Sequence, residues 1–264
     1  MAKRRADSRD RLRQQERHAQ ILALLQRDGI VRVASLANAF AVTTETARRD
    51  LDELAQSGAL QRTYGGGAIR SLTDEPGIGL RGLVRTPERT RIAAAAAALV
   101  EPGDALMIDA GSTTSLFASA LAARNLTLTV VTNCLPVASA LAVSDRCRVV
   151  VCPGDYVAHE AGVFGAETVA FIGRFHANKA FVGAGGVTAS AITDAVSAGC
   201  AVKRAMIERA ERSLLLVDSS KFDVVQFEAV APLAAIDDVV TEARPPRRLA
   251  AALRQAGIDV TLAP

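Results

Sequence analysis

Tryptophan is missing from the 264 residues, and only two tyrosines and eight phenylalanines are present. Half of the chain is nevertheless hydrophobic, so a large core has to be assembled from aliphatic side chains. Cysteine is scarce. Cys134, Cys147, Cys152 and Cys200 show no C-x-x-C spacing and have apolar or small neighbours. That is the pattern of buried free thiols in a reducing compartment, not of zinc ligands or disulfides. The three histidines, His18, His159 and His176, are scattered and form no ligand set; neither a metal nor another cofactor is expected. No run of eighteen apolar residues occurs, which excludes a transmembrane helix. Met1 to Arg17 carries seven basic and three acidic residues without an apolar stretch, which argues against a secretion signal and for a cytoplasmic protein. That segment reads equally as an arm lying on phosphates or as a disordered tail.

What is present is a lopsided distribution of charge. Residues 1–70 hold 13 Lys/Arg against 8 Asp/Glu, and the remainder 18 against 20, so the net charge of +3 conceals a basic front end. Basic groups that displace condensed counterions give affinity for nucleic acid. The same region has helical periodicity. Ile21, Leu22, Leu24 and Leu25 form one apolar stripe between Glu16 and Asp28, stopped by Gly29. Val33, Leu36, Ala37 and Phe40 form a second. Ala41 and Val42 make a tight turn, and Thr43 or Thr44 caps a third helix. There Ala47, Leu51 and Leu54 face inward, while Thr44, Glu45, Arg48 and Arg49 face outward. Gly58 ends this helix, Leu60 to Thr63 reads as a short strand, and Tyr64 with Gly65-Gly66-Gly67 follows. The order predicts a winged helix-turn-helix that reads double-stranded DNA, the third helix in the major groove and the wing on the backbone or minor groove.

Arg17 to Ile69 resembles the DeoR-type helix-turn-helix of bacterial sugar-metabolism regulators. The resemblance rests on Arg17-His18, the helix assigned to Val31 to Phe40, Thr46-Ala47-Arg48-Arg49-Asp50-Leu51, Leu54, Gly58, Leu60 and Gly65-Gly66. It implies that Thr44, Glu45, Thr46, Arg48 and Arg49 face DNA, with Arg62 and Tyr64 on the wing, and that Asp50 positions an arginine. The expected domains are a DNA-binding unit over 14–69, with its helix-turn-helix at 31–50, a Gly- and Pro-rich linker over 70–87, and a second domain over 88–264.

The second domain alternates helix and strand: a helix over Thr90 to Val100, a strand over Ala105 to Asp109, a helix over Thr114 to Ala122, a strand over Leu126 to Thr132, and a helix from Pro136 to Leu141. Arg148 to Cys152, Lys179 to Val182 and Leu214 to Val217 read as further buried strands, and Arg247 to Ala263 adds a helix and a last strand, Asp259 to Leu262. Such alternation predicts an α/β fold, a parallel sheet covered by helices. Ligands of these sheets bind in the loops at the carboxyl ends of the strands. Three loops have suitable chemistry: Asp109-Ala110-Gly111-Ser112-Thr113-Thr114, Thr132-Asn133, and Asp218-Ser219-Ser220-Lys221. The first opens a helix, whose free N–H groups suit an anion. Serine and threonine after a strand also cap helices, and that plain role is the alternative for each loop.

Arg91 to Asp238 is similar to the C-terminal sensor domain of DeoR-type regulators, which in turn looks like the ribose-5-phosphate isomerase and CoA-transferase superfamily. The matching residues include Pro102-Gly103-Asp104, the Asp109 to Thr114 loop, Val131-Thr132-Asn133, Phe181-Val182-Gly183-Ala184, Lys203-Arg204-Ala205-Met206 and Asp218 to Phe222. The resemblance implies a phosphorylated sugar or polyol as effector, with Ser112, Thr113 and Thr114 on the phosphate, Arg91 assisting, Asn133 and Lys221 at the sugar end, and Asp109, Gly111, Thr132, Gly183 and Lys203 around them. It also implies a homo-oligomer, dimer or tetramer, and a repressor. Gly199-Cys200-Ala201, Pro153-Gly154 and Asn178 depart from the family pattern. An isomerase fused to a DNA-binding domain is the enzymatic alternative, but its expected acidic pair falls on Gly185-Gly186 and its expected glutamate on Ala205, so no catalysis is expected. A DNA-binding protein whose second domain only dimerises is the other alternative.

Overall fold

The computed structural model describes residues 14–25, 28–56, 59–68, 77–82 and 84–264. The chain divides into two units between Val84 and Arg85. Among the described residues no helix is long and apolar enough to cross a membrane.

The first unit packs three helices against a three-stranded sheet. Helix α1 covers residues 14–25, and Gly29, at φ +72°, ends the segment by donating its N–H to the Leu25 carbonyl. Strand β1 (Ile30–Arg32) leads directly into α2 (Val33–Ala39), and α3 spans Thr44–Gln56. The turn between α2 and α3 is made at Ala41, a non-glycine residue at φ +52°. Strands β2 (Gln61–Thr63) and β3 (Gly66–Ala68) form the hairpin of the wing, and β1 pairs antiparallel with the outer side of β3. The helix expected from Val31 therefore starts two residues later, because Ile30 to Arg32 is taken up as a strand by partners 34 to 38 residues away. Gly65, at φ +77°, closes the hairpin. A Cβ on Gly66 would lie 2.0 Å from the Val31 carbonyl oxygen, so the glycine run that reads as flexibility in the sequence is required for strand pairing. Ile21, Leu22, Leu25, Val33, Leu36, Ala47, Leu51, Leu54 and Leu60 form the core, with Val84 buried at its edge. Gly58 and Ile69, assigned as the helix stop and the domain end, lie outside the described residues.

Residues 70–76 and 83 of the expected linker are likewise outside them. Within the rest, α4 (Ile78–Arg81) is a single helical turn, and α5 (Thr86–Ala98) begins four residues before the expected start. Pro87, which reads as a linker residue, opens that helix, where its missing N–H costs nothing.

The second unit is built on seven parallel strands, β4 (Ala105–Ile108), β5 (Leu128–Thr132), β6 (Cys147–Val151), β9 (Ala177–Val182), β12 (Ala210–Leu216), β14 (Asp238–Thr241) and β15 (Asp259–Leu262), in the order β15-β14-β12-β9-β4-β5-β6. Between β6 and β9 lie the hairpin β7 (Asp155–Val157) and β8 (Gly162–Phe164) and helix α8 (Ala166–Ile172). A smaller sheet joins β10 (Gly186–Val187), β11 (Ala191–Asp194) and β13 (Glu228–Pro232). The helices are α6 (Ser112–Ala122), α7 (Leu135–Leu141), α9 (Ser197–Glu208) and α10 (Arg247–Gln255) in addition to α5 and α8. Right-handed crossovers place α6 and α7 on one face and α9 and α10 on the other. The carboxyl halves of the inner strands, such as Ala180 to Val182 of β9 and Leu214 to Leu216 of β12, are apolar runs because both faces are covered there. Phe117 of α6 stacks on Phe181 of β9 at 4.2 Å between ring centroids. Cys134, Cys152 and Cys200 are buried free thiols as expected, while Cys147 is half-buried; burial pushes the Cys152 thiol up to about 12.

The strand order reverses between β4 and β9. From β4 the chain moves toward β6, and from β9 toward β15. Loops that leave such neighbours diverge to opposite faces and open a crevice at the carboxyl ends. The residues that follow β4 and β9 are Asp109 and Gly183.

Candidate nucleic-acid interface and ligand site

Helix α3 presents the expected face. Its first turn is capped by Thr43, whose Oγ1 accepts from the Thr46 N–H at 3.1 Å, which settles the choice between Thr43 and Thr44. Thr44, Glu45, Arg48 and Arg49 are exposed, Thr46 is half-buried, and Ala47, Leu51 and Leu54 are buried. Glu45 lies 3.8 Å from Arg48 one turn away, a separation at which an exposed pair leaves the guanidinium free to exchange partners. Tyr64 projects into solvent from the wing. Arg62 does not. Its Nε is 2.8 Å from Asp52 of α3 and its Nη1 donates to the Gly66 carbonyl at 2.5 Å, so it ties the wing to the third helix.

Asp50 is buried at the base of the same helix. It accepts two bonds from Arg17, at 2.5 and 2.8 Å, and faces His18 Nε2 at 3.2 Å. Burial alone would raise its carboxyl pKa, but Arg17 and His18 outweigh it and hold the group below the ordinary carboxylate range. The arginine that Asp50 positions is thus Arg17 of α1, and the bidentate pair fixes the first helix to the third. The Arg17-His18 pair noted in the sequence acquires its physical meaning here.

Along the carboxyl edge of the large sheet, Ile108 pairs with both Thr132 and Phe181, and Val182 pairs with Leu215. This register brings the loops after β4, β5, β9 and β12 side by side. Asp109 is buried beside the Gly183 N–H, 3.3 Å from each carboxylate oxygen, and beside Lys203 Nζ of α9 at 3.2 Å. Lys203 lies 3.0 Å from Asp194 at the end of β11 as well. Burial pushes the Asp109 carboxyl up to about 6, with Lys203 opposing. Burial would lower the Lys203 pKa, yet the facing Asp194 and Asp109 carboxylates reverse that and raise it. The ammonium is therefore charged and held by two acids. Asp194 was not legible as a member of this group, because β11 is a four-residue strand too short to show a periodicity of its own.

The hydroxyls divide into two kinds. Thr114 is fully buried and donates to the Asp109 and Gly111 carbonyls at 2.9 and 3.0 Å. Thr132 donates to the Ile108 carbonyl at 2.7 Å and accepts from the Cys134 N–H. Both brace their loops. Ser112, the first residue of α6, is half-buried, and its Oγ accepts from Arg89 Nη1 at 3.1 Å, which leaves its own proton to donate. Thr113 is buried beside it. Gly111 is extended at φ −173°, so the turn does not require glycine; a Cβ there would lie 2.9 Å from Thr114 Oγ1, and that close approach does. Asn133 is fully buried. Its Nδ2 donates to the Val163 carbonyl at 3.1 Å, while its Oδ1 has no hydrogen-bond partner among the described residues. An orphaned buried acceptor of this kind asks for a donor from elsewhere.

Arg91, assigned to the phosphate, lies instead on the exposed side of α5 and donates to the Pro264 carbonyl at 3.2 Å. The arginine of α5 that faces the strand ends is Arg89, buried, whose Nε donates to Asp218 Oδ2 at 2.9 Å. The signal was available: Arg89 is in phase with Ile92, Ala93, Ala96 and Ala97, the buried stripe of α5, and Arg91 is not. Asp218 also accepts from the Ser220 N–H at 3.0 Å. Burial would raise its pKa, but Arg89, Ser220 and Lys221 keep it low. Lys221 is thus part of this charge cluster. Of the departures from the family pattern, Asn178 braces the amino ends of the strands, accepting from the Ala105 N–H and donating to Glu211, and so is remote from the site. Gly199 faces it: a Cβ there would lie 3.5 Å from Lys203 Nζ.

Comparison with known proteins agrees with both halves. Residues 17–73 match the DeoR-like helix-turn-helix domain, and residues 84–243 match the DeoR C-terminal sensor domain. The chain is 32% identical over 236 residues to the glycerol-3-phosphate regulon repressor of Escherichia coli K12, covering 89% of this chain and 93% of that protein. It is 28% identical to the transcriptional repressor GlcR of Bacillus subtilis, covering 94% and 95%. Among solved structures, ribose 5-phosphate isomerase A of Methanocaldococcus jannaschii aligns with a TM-score of 0.38 at 20% identity, over 51% of this chain and 53% of that one.

Proposed function

The chain belongs to the DeoR family of DNA-binding transcriptional regulators, and from that premise we propose that a phosphorylated sugar or polyol, bound at the carboxyl edge of the large sheet, controls its affinity for operator DNA. It is a repressor rather than an enzyme, with relatives named as repressors along almost its whole length. A regulator of this kind acts in the bacterial cytoplasm. It works as a homo-oligomer, dimer or tetramer, because one recognition helix contacts too few bases and paired half-sites supply the rest. Arg48 and Arg49 enter the major groove, and Tyr64 touches the backbone or minor groove.

The observation that carries the effector reading is the unpartnered Asn133 Oδ1, one strand away from the N-terminus of α6. Ser112 and Thr113 there offer hydroxyl and backbone donors to a phosphate, with Arg89 adding charge behind Ser112. Asn133 Oδ1 accepts a hydroxyl of the carbon chain, and the Lys203–Asp109–Asp194 group orients the remaining hydroxyls.

Thermal unfolding of the full chain tests this. The compounds are sn-glycerol 3-phosphate, fructose 6-phosphate, glucose 6-phosphate and N-acetylgalactosamine 6-phosphate, each beside its unphosphorylated parent. A ligand at about 100 times its Kd stabilises by about 2.7 kcal/mol. A shift with a phosphorylated compound that its parent does not give supports the site; no shift with any compound leaves a second unit that only assembles the protein. For the DNA face, Arg48→Ala is expected to weaken binding to a selected duplex by about 1–3 kcal/mol and to relax the preference at one base position. Unchanged binding would remove α3 from the groove.

A further inference from the structure

The first residue of the second unit adopts a conformation that its own side chain maintains. Arg85 precedes α5 at φ +54° and ψ +33° without a side-chain capping bond, in the left-handed region that residues with a Cβ avoid. Its Nη2 donates to Ser219 Oγ at 2.9 Å and to Glu242 Oε1 at 2.6 Å, and its Nε lies 3.2 Å from Asp218 Oδ1. Glu242 is held in place by the Ser219 N–H and hydroxyl. One helical turn later, Arg89 grips the other oxygen of Asp218 and reaches Ser112. A continuous path therefore runs from Ser112 through Arg89, Asp218 and Arg85 to Glu242.

The two ends of this path have different meanings. At one end is the residue that opens α6, where the phosphate is placed above. At the other, Glu242 holds the side chain of Arg85, whose backbone is joined by one peptide bond to Val84, buried in the core of the DNA-reading unit. The two guanidinium groups face the Asp218 and Glu242 carboxylates, with Glu88 3.6 Å from Arg85. A phosphate at Ser112 brings further negative charge to Arg89, which then divides its hydrogen bonds between phosphate and Asp218. Asp218 in turn relies more on Arg85, and the grip that maintains the left-handed residue changes.

We infer that the Arg85–Asp218–Arg89 bridge is the element by which an anion at Ser112 sets the backbone at the junction of the two units, and so the affinity for DNA. The inference rests on the phosphate reading of the site. The coupling cannot exceed the difference in ligand affinity between the two states of the bridge.

The test uses the full chain, a duplex selected by the wild-type protein from a random-sequence pool, and the phosphorylated compounds named above. For the wild type, the compound that shifts melting is expected to change duplex affinity by about 5–150-fold. Arg85→Gln is expected to bind that compound and the bare duplex as the wild type does, while the change in duplex affinity shrinks to less than about 2-fold. Arg85→Lys, which keeps the charge, recovers part of it. If Arg85→Gln is too unstable to measure, Glu242→Gln removes the far end of the path and carries the same expectation. A full response in both variants, with compound binding intact, would overturn the bridge alone. Absence of any melting shift in the wild type would overturn the phosphate reading and the bridge with it.

Discussion

Lys203→Met is expected to destabilise the second unit by about 3–5 kcal/mol at pH 8, because it strands two buried carboxylates without their cation. Lys203 is buried between Asp109 and Asp194, and methionine nearly matches its length, so lost packing contributes little. The pH dependence identifies the cause. The raised pKa of Lys203 in the folded chain means that its contribution is complete below the unfolded lysine value, about 10.4, and so is present throughout the neutral range. With the lysine gone, the influence that opposes burial at Asp109 is gone too, and the Asp109 pKa rises above its present value of about 6. A carboxyl whose folded pKa exceeds its unfolded value, about 3.9, stabilises the fold as pH falls through the folded value. The deficit of the variant is therefore largest above its own Asp109 value and narrows as pH falls to about 6, below which Asp109 is protonated in both folded proteins. Denaturant unfolding at pH 8 and pH 5 measures it. An equal deficit at both would mean that the carboxylates are not the partners that matter.

Asp50→Ala is the corresponding experiment on the DNA-reading unit, with an expected loss of about 3 kcal/mol. Asp50 is the acceptor of both bonds from Arg17 and the neighbour of His18; without it a half-buried guanidinium loses its bidentate partner, and α1 is left with the contacts of Gln14 and His18 to Glu53 of α3. The sign of the pH dependence is that of a depressed carboxylate. Its contribution is present above the unfolded value of about 3.9 and is lost as pH falls through the folded value. The gap between wild type and variant therefore persists at pH 5, where that of Lys203→Met has narrowed, and closes only in stronger acid. Duplex affinity should fall along with stability, since α3 is presented through this packing. Urea unfolding of the unit at pH 7 and pH 5, followed in parallel with duplex binding, tests both statements. Undiminished stability at neutral pH would show that the pair with Arg17 is only a surface contact.

The elements that were legible in the sequence are those whose signal is local. The apolar stripes of α1, α2 and α3 recur at helical spacing, and the strands β4, β5, β6 and β9 are apolar runs bounded by turns. Strand β1 was missed because its partner Gly67 is 36 residues from Val31, and a three-residue strand has no periodicity of its own. Strands β11 and β14, and with them Asp194 and Glu242, were missed for the same reason. The loop that reads as a phosphate cradle does open α6, yet the tasks of its hydroxyls were not separable: Ser112 faces Arg89, while Thr114 is consumed in the loop. The assignment of Arg91 failed through phase. Once α5 starts at Thr86, the buried stripe selects Arg89, and an alanine-rich helix gives few large side chains from which to read that phase.

The sequence by itself determined that this chain has a basic DNA-reading front end and a parallel α/β domain, because periodicity, turn chemistry and charge distribution are properties of neighbouring residues. Only the tertiary structure decided which charges meet. Lys203 joins Asp109 and Asp194, Asp50 joins Arg17, and Arg85 and Arg89 converge on Asp218. Each of these pairings is set by strand order and helix phase, which depend on contacts between residues far apart in the chain.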